Sequence, residues 1–358
     1  MTCSGGTTDR VRHYEGIKNA AIARLIADLL GCRFAGQYEE QKKPEPTLYF
    51  VPHRTIVGLD YARSLGIADA TDFYGGIVPF GYLATKAITH GLVDPKASAP
   101  PGWCEAFSRA TADVVLPGYT VFHKSDACIA GLRLLTDDAV RVKSTSGVGG
   151  QGQYVVYSPD DLTDALRDLD PEEIAQRGLV LERKLADVST YSVGQIQIGA
   201  LIGSYCGTQR LTTDNRGQTS YGGSDLIVVR GGYDQLLQVD LPESLRLAIR
   251  QAAVYDEAVQ LYPDILASRR NYDVAQGLDG RGNVLTGVLE QSWRIGGASG
   301  PEVAALCAFR DDPRLQVVEA SSFEQYGADR ELPPGALVHF AGVDPDCGPL
   351  QVYTILRT

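Results

Sequence analysis

The sequence predicts an α/β (α+β) fold divided into subdomains, and three observations point to it. At 358 residues the chain is long enough to bury a sizeable core in two or three units. Segments of helical and strand character alternate through its first half. A glycine-rich loop, Gly147 to Gly152, has strand formers on both sides, and a helix begins only after the second of them.

In chain order, Ile17, Ala21, Ile22, Leu25, Ile26, Leu29 and Leu30 recur at helical spacing with Gly31 as a stop, which predicts an amphipathic helix over 14–31. A short strand is expected at Cys32 to Ala35 and another in the β-rich run Thr47 to Pro52. Ile56 to Leu65 reads as helix and Gly76 to Pro79 as strand, closing a small α/β unit near residue 84. The breaker-rich stretch 94–102 leads to a helix at Trp103 to Ala112, a strand and turn in VVLPGYTVF, a helix at Asp126 to Leu135 and a strand from Ala139 to Lys143. Tyr154 to Tyr157 then reads as strand. Ser158, Pro159, Asp160 and Asp161 supply an N-cap, a first-turn proline and early acids for the next helix.

The 44 acidic residues outnumber the 33 basic ones, so the surface field is negative and nucleic acid is not an expected partner. No apolar run approaches the length needed to cross a bilayer, and the start lacks a signal-peptide core. Seven scattered cysteines form no metal or disulfide motif, which fits reduced thiols and a cytoplasmic location.

The loop satisfies G-x-G-x-x-G literally, but a dinucleotide site needs a helix to open at the loop, and Tyr154 to Tyr157 are strand formers. No Gly-Lys-Ser/Thr closes it as a P-loop, and the kinase HRD and DFG sequences are absent. Two readings remain: a long hairpin without function, or a hairpin whose backbone N–H groups cradle phosphate, with Lys143 entering from the preceding strand. Downstream, Asp273 lies in one strand candidate and Glu290 ends another, with GLDGRG as the turn. Antiparallel pairing would bring both carboxylates to one wall, a donor set suited to Mg²⁺. Arg294, four residues on, could face charge developing on a phosphoryl group. A solvated surface hairpin is the competing reading.

In this order the segments resemble the ATP-grasp superfamily over about residues 80 to 300, and the whole chain looks like a bacterial family of unknown function. The resemblance implies an N-terminal α/β domain (1–84), a lid subdomain with the glycine loop (85–182), and a core subdomain with the metal site and a C-terminal β extension (183–358). It implies ATP and Mg²⁺ as cofactors. Lys86 resembles the first nucleotide-contacting lysine. Lys143 with Gly147, Gly149, Gly150 and Gly152 resembles the second lysine and its phosphate loop. Glu182 and Leu185 match the hinge at the adenine. Asp273, Glu290 and Ser292 fall where the metal ligands lie, the serine standing where the family usually has asparagine. The acid that holds the ribose would fall near Thr190, with Asp187 nearby. Arg294 and Lys143 would act in catalysis, and Arg210 and Arg230 in substrate binding. The implied reaction joins small-molecule carboxylate and amine substrates through an acyl phosphate. A nucleotide-binding regulator and a small-molecule kinase are the alternatives, with a homodimer as the candidate assembly. Trp293 is expected in the core, and the five histidines are expected to be isolated structural residues.

Overall fold

The computed structural model describes residues 2–3, 12–39, 48–145, 152–328 and 331–357. The chain opens with β1 (Thr2–Cys3), α1 (His13–Leu29), β2 (Val51–Pro52), β3 (Ile56–Val57), α2 (Leu59–Ser64) and β4 (Gly76–Val78). Helix α1 ends as its sequence predicts, with Gly31 at φ +65° beyond the last turn. The strand expected at Cys32 to Ala35 does not form. The helix expected over Ile56 to Leu65 is split, because Gly58 adopts φ +96° and separates strand β3 from helix α2. Neither element was separable by periodicity over so short an apolar run.

After α3 (Glu105–Thr111) comes a four-stranded antiparallel sheet: β5 (Gly118–Val121), β6 (Val140–Ser144), β7 (Gln153–Val156) and β8 (Leu179–Arg183), in the order β5-β8-β6-β7. Helices α4 (Lys124–Leu135), α5 (Pro159–Arg167) and α6 (Pro171–Arg177) accompany it. Val121, Ala130, Val140, Val142, Leu162 and Leu181 form its core. Gly131 lets α4 and α5 approach, since a methyl there would lie 2.5 Å from a Leu162 carbon. The cap read from the sequence forms: the Ser158 hydroxyl accepts the Asp161 N–H at 3.1 Å.

The remaining chain builds an eight-stranded antiparallel sheet. Its strands are β9 (Ala186–Ile198), β10 (Leu201–Thr213), β11 (Thr219–Arg230), β13 (Arg269–Leu278), β14 (Val284–Gln291), β15 (Val317–Tyr326), β16 (Leu337–Asp344) and β17 (Gly348–Arg357), in the order β14-β13-β9-β10-β11-β15-β17-β16. Between them lie α7 (Tyr233–Leu236), α8 (Glu243–Ala258), β12 (Leu266–Ala267) and α9 (Ser299–Asp311). Strand alternation divides the sheet into two buried faces. Val193, Cys206, Val229, Tyr272 and Val274 pack with α8. Ile196, Tyr205, Leu226 and Val228 pack with α1 and α9. The short strand β12 pairs with β4, so the N-terminal sheet takes its third strand from the core segment. Among the described residues no helix is long and apolar enough to cross a membrane.

Candidate nucleotide and carboxylate site

The site grows from three pieces of backbone. The first is strand β6 with its neighbour β8. Lys143 lies directly across from Val180, and its ammonium meets the Glu182 carboxylate at 2.5 Å, with both side chains buried. The other Glu182 oxygen meets His90 Nε2 at 3.2 Å. Burial alone would push the Glu182 carboxyl up, but the Lys143 charge and the His90 hydrogen bond hold it at about 2. His90 packs so closely on β5 that a methyl at Gly118 would lie 2.9 Å from its Cε1. The expectation that all histidines are isolated therefore fails at His90. It is 92 residues from Glu182 in sequence, and only the pairing of β5 with β8 brings the two together.

The second piece is the carboxylate pair. In the β13/β14 ladder Asp273 stands opposite Glu290, while Val274 stands opposite Val288. Leu289 is thus the extra residue of a β-bulge. Strict alternation would put Glu290 on the same face as Val288, in the α8 core; the bulge turns it to the face of Asp273. The Thr89 hydroxyl donates to the Leu289 carbonyl at 3.2 Å, bracing the bulge. Asp273 accepts from Gln209 Nε2 at 2.8 Å, from Asn271 Nδ2 at 3.2 Å and from the Ser192 hydroxyl at 3.4 Å. Burial and the Glu290 charge nonetheless raise its pKa. Two adjacent carboxylates, with the charge of Asp273 disfavoured by burial and then by Glu290, fit a divalent cation. Among the described residues no third acid, histidine or cysteine completes a metal cluster. Mg²⁺ suits such a site, because it takes few protein ligands and keeps waters and phosphate oxygens. Ser292 is half-buried, and its N–H is tied to the Asn271 carbonyl at 2.7 Å.

The third piece is the segment from Thr85 to His90, which joins the other two. Gln291 donates to the carbonyls of Leu83 at 2.6 Å and Thr85 at 2.8 Å, fixing the turn that carries Lys86. The Lys86 ammonium lies 3.3 Å from Glu290, while His90, one turn on, reaches Glu182. One short segment therefore ties the carboxylate pair of the large sheet to the lysine–glutamate pair of the small one.

Arg269 and Glu302 adjoin the candidate site, though no motif in the sequence singled them out. They form a fully buried ion pair at 2.7 Å, and Tyr74 donates to the same carboxylate at 2.6 Å. The Arg269 guanidinium also donates to the carbonyls of Ser292 at 2.8 Å and Arg294 at 2.6 Å, so it holds the loop that carries both predicted residues. An R-x-N-x-D run on one strand, three polar side chains at period two, is the signal that could have found it. Arg294 is half-buried and donates to the Ile295 carbonyl at 3.1 Å. Burial, then the charges of Arg54 and Arg269, push its pKa down.

Other expected residues have other surroundings. Arg210 is clasped by Asp225 at 2.6 and 2.7 Å, donates to the Ser322 carbonyl and stacks over Phe323. Arg230 donates to the carbonyls of Leu315 and Phe309 at the end of α9. Both guanidiniums are thereby occupied in joining strands and helix. Leu185 is buried against Leu116 and Ala275. Gly152, at φ +68°, opens β7 with a conformation natural to glycine, while Gly147, Gly149 and Gly150 lie outside the described residues. Asp187 is exposed and has φ +50°, a left-handed conformation that aspartate adopts more readily than most residues. Trp293 is in the core, as expected.

Residues 4–354 match the family described as a protein of unknown function, DUF3182. The chain belongs to that family. No curated protein matches it in sequence. Solved structures resemble it along its whole length. N5-carboxyaminoimidazole synthetase from Staphylococcus aureus, solved with ADP, is 13% identical with a TM-score of 0.53, covering 100% of this chain and 93% of that one. Phosphoribosylamine–glycine ligase from Thermotoga maritima is 15% identical with a TM-score of 0.53, covering 100% and 92%. Biotin carboxylase from Campylobacter jejuni is 10% identical with a TM-score of 0.52, covering 99% and 87%. These neighbours are ATP-grasp ligases, and the DUF3182 chain has the ATP-grasp fold expected from the order of its motifs.

Proposed function

We propose that this DUF3182 chain is an ATP-dependent ligase that joins a small-molecule carboxylic acid to an amine through an acyl phosphate. One observation carries the reading: Lys86 beside the Asp273/Glu290 pair and His90 beside the Lys143/Glu182 pair lie on a single segment, so cations and carboxylates from both sheets belong to one site. Glu182 and Leu185 would face the adenine, and Lys86, Lys143 and the loop from Gly147 to Gly152 would face the phosphates. Asp273 and Glu290, with the Ser292 hydroxyl, would hold Mg²⁺, whose chemistry is to neutralise phosphate oxygens.

In this reaction a carboxylate oxygen bonds to the γ-phosphorus as ADP leaves, and the amine nitrogen then bonds to the acyl carbon as phosphate leaves. The protein's part is to position the reactants, balance charge and keep water from the acyl phosphate. Arg294 would stabilise charge on the transferred phosphoryl group. The test is release of phosphate from Mg·ATP with pools of acids and amines, using wild type and Asp273→Asn. Amide formation that fails in the variant supports the ligase. A stable phosphorylated acid would make it a kinase. Nucleotide binding without turnover across broad pools would make it a binding protein.

A further inference from the structure

Beside Arg294 stands a second arginine that the proposed chemistry does not use. Arg54 belongs to the loop between β2 and β3, and that loop is fixed at both of its neighbours. His53 is hydrogen-bonded to Asn19 of α1 at 2.8 Å, and the Thr55 hydroxyl donates to the Trp293 carbonyl at 3.3 Å. The residue after Trp293 is Arg294, so the two arginines come from adjoining backbone of different units. The Arg294 loop is held as firmly, by the two carbonyl bonds from Arg269. A methyl on Gly296 would lie 3.6 Å from an Arg294 nitrogen and 3.9 Å from an Arg269 nitrogen, so these two guanidiniums share one corner, and the Arg54 charge acts on Arg294 as well.

Only one of the three is neutralised at close range. Arg269 has Glu302. Among the described residues neither Arg54 nor Arg294 forms an ion pair; Glu290 and Glu15 act on Arg294 only as longer-range offsets to the repulsion from Arg54 and Arg269. Half-buried like charges held together by rigid backbone are unfavourable without a counter-anion. Asn19, buried beside His53, also has a side-chain oxygen without a partner among the described residues.

We infer that Arg54 and Arg294 together form a recognition point for a ligand with two anionic groups, and that the acid substrate is a dicarboxylic or phosphorylated carboxylic acid. This rests on the ligase reading for the word substrate. The Arg54 guanidinium takes the anionic group that does not react, and Arg294 faces the carboxylate that does. Arginine suits this role because its planar fork binds carboxylate and phosphate in a bidentate way.

The experiment uses the full chain and three probes at matched ionic strength: butyrate, succinate and 3-phosphoglycerate. Labelling of arginines by phenylglyoxal is followed residue by residue by mass spectrometry. Succinate or 3-phosphoglycerate should slow labelling of Arg54 and Arg294 about tenfold relative to butyrate, the factor expected of one charge-assisted hydrogen bond. In Arg54→Gln the advantage of the dianions at Arg294 should vanish, and Arg54→Lys should restore part of it. Equal protection by butyrate, no protection by any probe, or unchanged protection in Arg54→Gln would overturn the inference. Binding of Mg·ADP is measured in the same samples. Its absence in the wild type would sink the ligase reading while leaving the anion result to stand or fall by itself.

Discussion

Replacing Lys143 with methionine separates the structural use of this lysine from its proposed use toward phosphate. The Lys143 ammonium lies 2.5 Å from Glu182 inside the four-stranded sheet. Glu182 has an ordinary value of 4.5 and sits at about 2 in the folded chain. A folded value below the unfolded one means that the carboxylate contributes stability above pH 4.5, and that this is lost as pH falls from 4.5 toward 2. At about 1.4 kcal/mol per unit the contribution is about 3 kcal/mol at neutral pH. Methionine leaves Glu182 buried with His90 as its remaining polar partner, and breaking one side of a buried pair costs about 3 to 5 kcal/mol. Urea unfolding of Lys143→Met should therefore show that loss at pH 7 and a flattened decline between pH 5 and 3. The double variant Lys143→Met/Glu182→Gln should recover most of the stability, because no bare charge remains, yet bind Mg·ATP as weakly as the single. A lysine about 4 Å from phosphate contributes roughly 4 kcal/mol at an effective dielectric of 20, before desolvation. Additive losses in the double variant, or an acid limb as steep as wild type in Lys143→Met, would refute the coupling.

Three further outcomes are expected. Asp273→Asn should raise the melting temperature in the absence of magnesium, since burial and Glu290 disfavour the Asp273 charge, while Mg²⁺-dependent nucleotide binding, read by calorimetry, falls. Arg269→Met should lose about 3 to 5 kcal/mol by leaving Glu302 buried and unpaired, with recovery in Arg269→Met/Glu302→Gln, as denaturant titration would show. Gly76→Ala would place a methyl 2.6 Å from the Trp293 Cβ, and overpacking of this kind costs about 1 to 3 kcal/mol. Its readout is the melting temperature together with turnover, because Trp293 leads directly into Arg294.

Much of the candidate site's geometry was legible because it is local. Lys143 before a glycine loop, and Asp273 and Glu290 on strands joined by GLDGRG, are patterns within one hairpin each, and a hairpin brings its own residues together. The Ser158 cap and the helix over His13–Leu29 were legible for the same reason. Positions decided by long-range contact were not. His90 meets Glu182, and Arg269 meets Glu302, only after separate strands and helices have docked. Nothing in HGLV or RRNYD names those partners.

What the sequence by itself determined was the order of strand, glycine loop, strand and paired carboxylates, hence the ATP-grasp architecture. Local propensity and hairpin geometry act on neighbours in the chain and need no other part of the fold. The tertiary structure decided which face each charge occupies. The bulge at Leu289 turns Glu290 toward Asp273, and the Thr55–Trp293 bond docks the β2/β3 loop on the backbone that leads into Arg294. Both depend on register and docking, in which a shift of one residue would reverse the face of every side chain that follows.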